Sequence, residues 1–181
     1  MSHAATGATP PPAQALAAGL WLRALTLDDV PAVHAMEQRT HAFAWTPGHL
    51  NGSLHAGHLA WLLLPQATAS ASACLGYCVA LPGVDEAELL NIVVAPEHQG
   101  RGLARHLLAY LAGWCRQAGA ATLWLEVREG NTRARQLYER WGFEAVGLRK
   151  HYYPVAQGPR EHAVVMRWTL PTAQGAGDAL D

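Results

Sequence analysis

Three stretches of the 181-residue chain hold residue types that could do chemistry. In "ATLWLEVREGN" one carboxylate, Glu126, interrupts an apolar run. A carboxylate there is unfavourable unless it is paired, stands at an edge or lines a cleft. Strand alternation puts Glu126 on one face with Trp124 and Arg128. Partial removal from water raises the proton affinity of a carboxyl group, which suits it to accept a proton directly or through water. A strand-end glutamate on a solvated face is the competing reading. In "NTRARQLYERWG", Leu137 and Trp141 stand four apart and mark a core stripe. Tyr138 borders that stripe, with its hydroxyl expected at the rim. Asn131 opens the same helix as a cap.

The third stretch is "NIVVAPEHQGRGLARHLL". An apolar strand ends at Pro96, a basic turn with Gly100 and Gly102 follows, and a helix begins. Such a junction brings backbone N–H groups close to an anion, and the helix N-terminus adds partial positive charge. Arg101 and Arg105 add full charges, so a phosphate-bearing ligand is the first expectation. A tight turn without a ligand is the alternative. Neither the complete G-x-G-x-x-G fingerprint nor G-x-x-x-x-G-K-[ST] is present, which argues against a dinucleotide fold and ordinary nucleotide hydrolysis.

The elements that must position these residues follow from pattern. "LWLRALT" reads as a strand, and Thr26 with Asp29 as a capping box before a helix that includes residues 37–41. Pro31 is tolerable in its first turn. A short second helix is expected after Trp45. "HLAWLLLP" and "SACLGYCVALPG" predict an antiparallel pair around the loop "QATASAS". A buried strand over 87–95 leads into the glycine turn. Leu103, Leu107, Leu108, Leu111 and Trp114 mark the next helix face, which Gly119 ends. The strand carrying Glu126, the helix carrying Tyr138 and stopped by Gly142, and two last strands complete the chain. This order predicts an α/β fold with a mixed sheet and a central crossover. Residues 1–19 read as a structureless Ala/Pro leader, 20–170 as one domain and 171–181 as a frayed tail.

Composition narrows the partners. Half the residues are hydrophobic, 15% are charged and the net charge is -1, so no global field attracts nucleic acid. The run "RKHYY" is too short to change that reading. No signal-peptide pattern or membrane span is read, so a cytoplasmic location is expected. Cys74, Cys78 and Cys115 match no zinc or redox spacing and read as buried reduced thiols. His55 and His58 stand three apart without a further ligand nearby, so no metal is expected.

"VVAPEHQGRGLARHLL" resembles the acetyl-CoA signature of the GNAT N-acetyltransferases, Q/R-x-x-G-x-G/A, met by Gln99, Gly102 and Ala104. "EQRTHAFAW", "LWLEVREGN", "LYERWGF", "HYYP" and "REHAVVM" are similar to blocks of the RimI family, the ribosomal-protein-alanine N-acetyltransferases. The resemblance covers residues 20–170, and the leader and "QATASAS" loop depart from it.

It implies the GNAT acyl-CoA N-acyltransferase fold, a mostly antiparallel mixed sheet flanked by helices, and acetyl-CoA as cosubstrate. Gly100, Arg101, Gly102, Leu103, Ala104 and Arg105 would hold the pyrophosphate with Gln99. Ile92, Val93 and Val94 would pair with the pantetheine arm, on a strand that splays from its neighbour. Asn131 would touch the cofactor as well as cap its helix. Glu126 is implied as general base and Tyr138 as the acid that protonates the leaving thiolate, in a direct attack without an acyl-enzyme.

Glu37, Phe43, Trp45, Tyr152 and Tyr153 lie in blocks that border the family's peptide groove, where aromatic walls with carboxylates suit a basic peptide. Phe43 and Trp45 are open to a plain core reading, and extended backbone would send Tyr152 and Tyr153 to opposite faces. The implied substrate is a protein N-terminal amine, the alanine of ribosomal small-subunit protein eighteen, acetylated by a monomer or weak dimer. A small-molecule amine as acceptor, and a CoA-binding ribosome-associated module without turnover, are the rival readings.

Overall fold

The computed structural model describes residues 14–16 and 19–171. Among the described residues, eight strands and four α-helices make a mixed, mostly antiparallel α/β architecture that divides into two compact units. Of the described residues, one unit comprises those up to Ala80 with Asn91–Leu107, and the other comprises Leu81–Leu90 with those from Leu108 on.

In the first unit β1 (Gln14–Ala15), β2 (Trp21–Ala24), β3 (Leu59–Leu64) and the start of β4 (Gly76–Pro82) are neighbours in that order, each antiparallel to the next. The expected leader is therefore shorter than read: Gln14 pairs with Leu22 and Ala15 with Trp21. The remainder of the leader, and the tail beyond Pro171, lie outside the described residues. All six residues of β3 are buried, as suits an apolar run without alternation between two paired neighbours. Thr26 and Asp29 form the expected capping box, and Asp29 also takes both terminal nitrogens of Arg23, at 2.6 and 2.8 Å. That device starts α1 (Val30–Thr40), with Pro31 in its first turn as expected and His41 as its C-cap rather than its last residue. Thr46 caps α2 (Pro47–His55), the short helix expected after Trp45.

In the second unit β6 (Thr122–Arg128) lies parallel to the beginning of β5 (Glu86–Val94) and antiparallel to β8 (Glu161–Thr169), which pairs with β7 (Glu144–Tyr153). β6 alternates between half-buried and buried, so Leu123, Leu125 and Val127 enter the core while Trp124, Glu126 and Arg128 share the other face. α3 (Leu103–Gln117) follows the glycine turn and is drawn from both units. α4 (Thr132–Trp141) starts at Asn131, whose side chain accepts from the Ala134 N–H at 3.1 Å. It ends at Gly142, whose φ of 108° is a left-handed cap.

Candidate functional site

The parallel register of β6 with β5 runs from Glu86↔Thr122 to Leu89↔Leu125 and ends there, while β6 continues paired with β8 through Arg128↔Ala163. Glu126 is the first residue beyond that last parallel pair. It lines a pocket of about 360 Å³ with Leu81, Pro82, Glu86, Glu88, Trp124, Arg149 and Val165 among its neighbours. Its side chain is 12% exposed, and it forms an ion pair through Oε1 with Arg149 Nε at 2.8 Å, from a side chain that is 57% exposed. The Tyr152 hydroxyl also bonds to Glu126, which raises the tyrosine's own pKa. Two more carboxylates share the pocket. Glu86 accepts from the Trp124 indole at 2.9 Å. Glu88 has its carboxyl raised by burial first and by the charge of Glu126 second, with Arg149 opposing both.

Tyr152 and Tyr153 do not go to opposite faces. Their rings meet edge to face at 5.0 Å. The cause is local: His151 takes a left-handed φ of 52° and the β7–β8 register shifts between Arg149 and Tyr153, so strand alternation fails there. Burial, then the charge of Glu126, pushes the Tyr153 phenol up to about 12. Arg128 covers the Tyr153 ring at 4.5 Å and is held by Glu161 at 2.9 Å, which also takes the Gly130 N–H at 2.7 Å. Tyr138 is more buried than the sequence suggests: it is 6% exposed, whereas Leu137 and Trp141 are half-buried. Burial, with a contribution from Tyr153, raises its phenol well above the ordinary tyrosine range. The same burial favours the neutral form of the Tyr138 phenol. Glu126, Tyr138, Tyr152 and Tyr153 all belong to the second unit.

The glycine turn belongs to the first unit. Gly100 and Gly102 have φ of 83° and 76°, which only glycine adopts freely. No heavy atom lies within 4 Å of where a Gly102 Cβ would stand, so backbone conformation rather than crowding selects this glycine. Gln99 reaches back to the Val94 carbonyl at 3.1 Å and Arg101 to the Glu97 carbonyl at 3.2 Å, which shapes the loop ahead of Leu103. The first N–H groups of a helix have no intrahelical acceptor, so an anion fits here. Val93 is buried, Ile92 and Val94 are half-buried, and Arg101 and Arg105 are exposed. Among the described residues no group of three or more His, Cys, Asp or Glu is placed to hold a metal ion.

Glu37 is 0% exposed. The Asn91 amide donates to it at 2.7 Å, the Trp45 N–H at 3.1 Å and the Tyr77 hydroxyl across a short bond, and His41 Nδ1 lies 3.0 Å away. Burial raises its carboxyl, but the bonds from His41 and Tyr77 outweigh this and hold it below the usual range. Glu37 therefore offers no wall to a ligand; it fixes Trp45 and His41 from beneath. Phe43 is 43% exposed, so the core reading fails for it, while Trp45 is half-buried. Tyr77, Asn91, Glu88 and Arg149 escape a reading of the sequence, because each acts through a partner distant along the chain. The three cysteines are free and buried.

The model of the Acetyltransferase (GNAT) family matches residues 22–143. The [ribosomal protein bS18]-alanine N-acetyltransferase of Escherichia coli K12 is 37% identical over 145 residues, 80% of this chain and 94% of its own length. Its counterpart from Salmonella typhimurium LT2 is 39% identical over 142 residues, 78% of this chain and 92% of its own. The crystal structure of the ribosomal-protein-S18-alanine N-acetyltransferase from Escherichia coli superposes with a TM-score of 0.75 at 34% identity, covering 90% of this chain and 99% of that one.

Proposed function

From the premise that the chain belongs to the GNAT acetyltransferase family, as a relative of the ribosomal-protein-alanine N-acetyltransferases and hence an acetyl-CoA-dependent N-acetyltransferase, we propose that it acetylates the N-terminal alanine of ribosomal protein bS18 with Glu126 as base and Tyr138 as acid. The observation that carries the roles is the place of Glu126: a mostly covered carboxylate just past the last parallel pair of its strand, in a pocket, bonded to an exposed arginine and a tyrosine. The substrate rests on the relatives named above.

An α-amino group with pKa of about 7.7–8.0 is largely protonated at neutral pH and must lose its proton before it attacks. Glu126 takes that proton, directly or through a water held beside Tyr152. Acetyl-CoA supplies the activated acyl group and a thiolate leaving group. Tyr138, buried and neutral, gives a hydrogen bond and then a proton to the departing sulfur. Its raised pKa makes full transfer uphill, so donation proceeds in step with bond cleavage and is worth about 10²–10⁴ at most. Positioning supplies more. Backbone amides from Gly100 to Arg105, with Arg101 and Arg105, hold the pyrophosphate, and Ile92 to Val94 pair with the pantetheine amides as an added strand. Tyr152 and Tyr153 wall the acceptor beside Glu126.

Intact-mass measurement tests the reading. Ribosomal small-subunit proteins incubated with the enzyme and acetyl-CoA should show one acetyl added to bS18, at its N-terminal alanine. Acetylation of a polyamine or an aminoglycoside with bS18 untouched would replace the protein substrate by a small amine.

A further inference from the structure

Arg149 stands where a positively charged acceptor would have to go. Its Nε lies 2.8 Å from Glu126 Oε1, and its guanidinium stacks over the Tyr152 ring at 5.5 Å. The two ends of this ion pair differ: 57% of the arginine side chain is exposed against 12% of the glutamate's. A pair with one solvated end is weak and exchanges readily. A guanidinium seated against Glu126 fills the place that an incoming ammonium would take. Arg149 has somewhere to go, since Glu88 lines the same pocket and its carboxyl responds to the charges of both Glu126 and Arg149. The backbone allows movement on one side: the β7–β8 register is lost immediately after Arg149 and returns at Tyr153.

We propose that Arg149 is a displaceable counter-ion, a positioning residue that occupies Glu126 in the free enzyme and is pushed toward Glu88 when the ammonium of an acceptor enters. The inference rests on the reading of Glu126 as the base. An entering ammonium repels the guanidinium and takes its place beside Glu126, and the excess negative charge of Glu86, Glu88 and Glu126 over Arg149 is reduced by one while both cations are held. The exchange couples arrival of the acceptor to release of the base, and an enzyme without acceptor keeps its base masked.

The test follows the Arg149 side-chain Nε–H resonance, assigned by its loss in Arg149→Lys. A six-residue peptide with a free N-terminal alanine should shift or broaden that signal, whereas the same peptide with an acetylated N-terminus should leave it in place. In steady state Arg149→Met should lower the acceptor KM about 3–10-fold without moving the KM for acetyl-CoA, because the competitor is gone. The double variant Glu126→Gln/Arg149→Met should show no such KM gain over Glu126→Gln alone. An unmoved resonance with the free peptide, or an acceptor KM that is unchanged or higher in Arg149→Met, overturns the exchange. If Glu126→Gln keeps full turnover, the base assignment itself fails, which is a separate outcome.

Discussion

Two covered glutamates, Glu37 and Glu126, stand in contrasting surroundings. Glu37 in the first unit and Glu126 in the second both lie in semi-apolar surroundings and both bind a tyrosine hydroxyl. Glu37 has no exposed surface and holds Asn91, Trp45, His41 and Tyr77 around it. Every lone-pair direction is taken, so the group is a structural hub with little left to offer. Glu126 is held by one exposed arginine and one exposed tyrosine, and a pocket opens beside it. Burial of the carboxylate does not separate the two roles. The exposure of its partners and the pocket beside it do.

The sharpest way to break this contrast is substitution at the exchangeable centre. Glu126→Gln should cut kcat by about 10²–10⁴ while calorimetry still detects coenzyme A binding and the melting temperature holds. Tyr138→Phe should follow at about 10²-fold. Because the Tyr138 phenol lies well above its ordinary range, its ionisation should leave no alkaline limb in the wild-type rate profile up to pH 10. Glu37→Gln should reverse the pattern, with about 1–3 kcal/mol lost in denaturant unfolding and a smaller change in kcat, since a hub acceptor becomes a mixed donor and acceptor. Its pH dependence has a fixed sign. A carboxyl depressed in the folded state stabilises the fold above its unfolded pKa of about 4.3, and that contribution fades as pH falls through the lower folded value. The Glu37→Gln protein should therefore lose less stability than wild type on acidification below about pH 4. The smallest effect belongs to the helix cap: Asn131→Ala should lower stability by about 0.5–2 kcal/mol. A raised KM for acetyl-CoA in that variant would show that Asn131 also touches the cofactor.

What could be read in advance followed the local rules. The period of two in β6 put Glu126 on the half-buried face with Trp124 and Arg128, as found. Thr26 with Asp29, Asn131 and Gly142 marked helix ends, because capping is decided within a few residues. Three things needed the tertiary structure. His151 breaks the strand alternation that would have separated Tyr152 from Tyr153, and nothing about a histidine announces a left-handed backbone. Glu37 looked like a groove residue because its partners Tyr77 and Asn91 lie 40 and 54 positions away. Arg149 stood in plain view in the basic run "RKHYY", yet its pairing with Glu126 is made only when β7 and β6 both pair with β8.

The cysteines have a practical corollary. Cys74, Cys78 and Cys115 are 6%, 1% and 0% exposed, and burial lifts the Cys74 thiol to about 12 and the Cys115 thiol to about 11. None presents a thiolate near neutrality. A chromogenic disulfide added to a reaction mixture will therefore be consumed by liberated coenzyme A and spared by the catalyst, so turnover can be followed continuously without self-labelling.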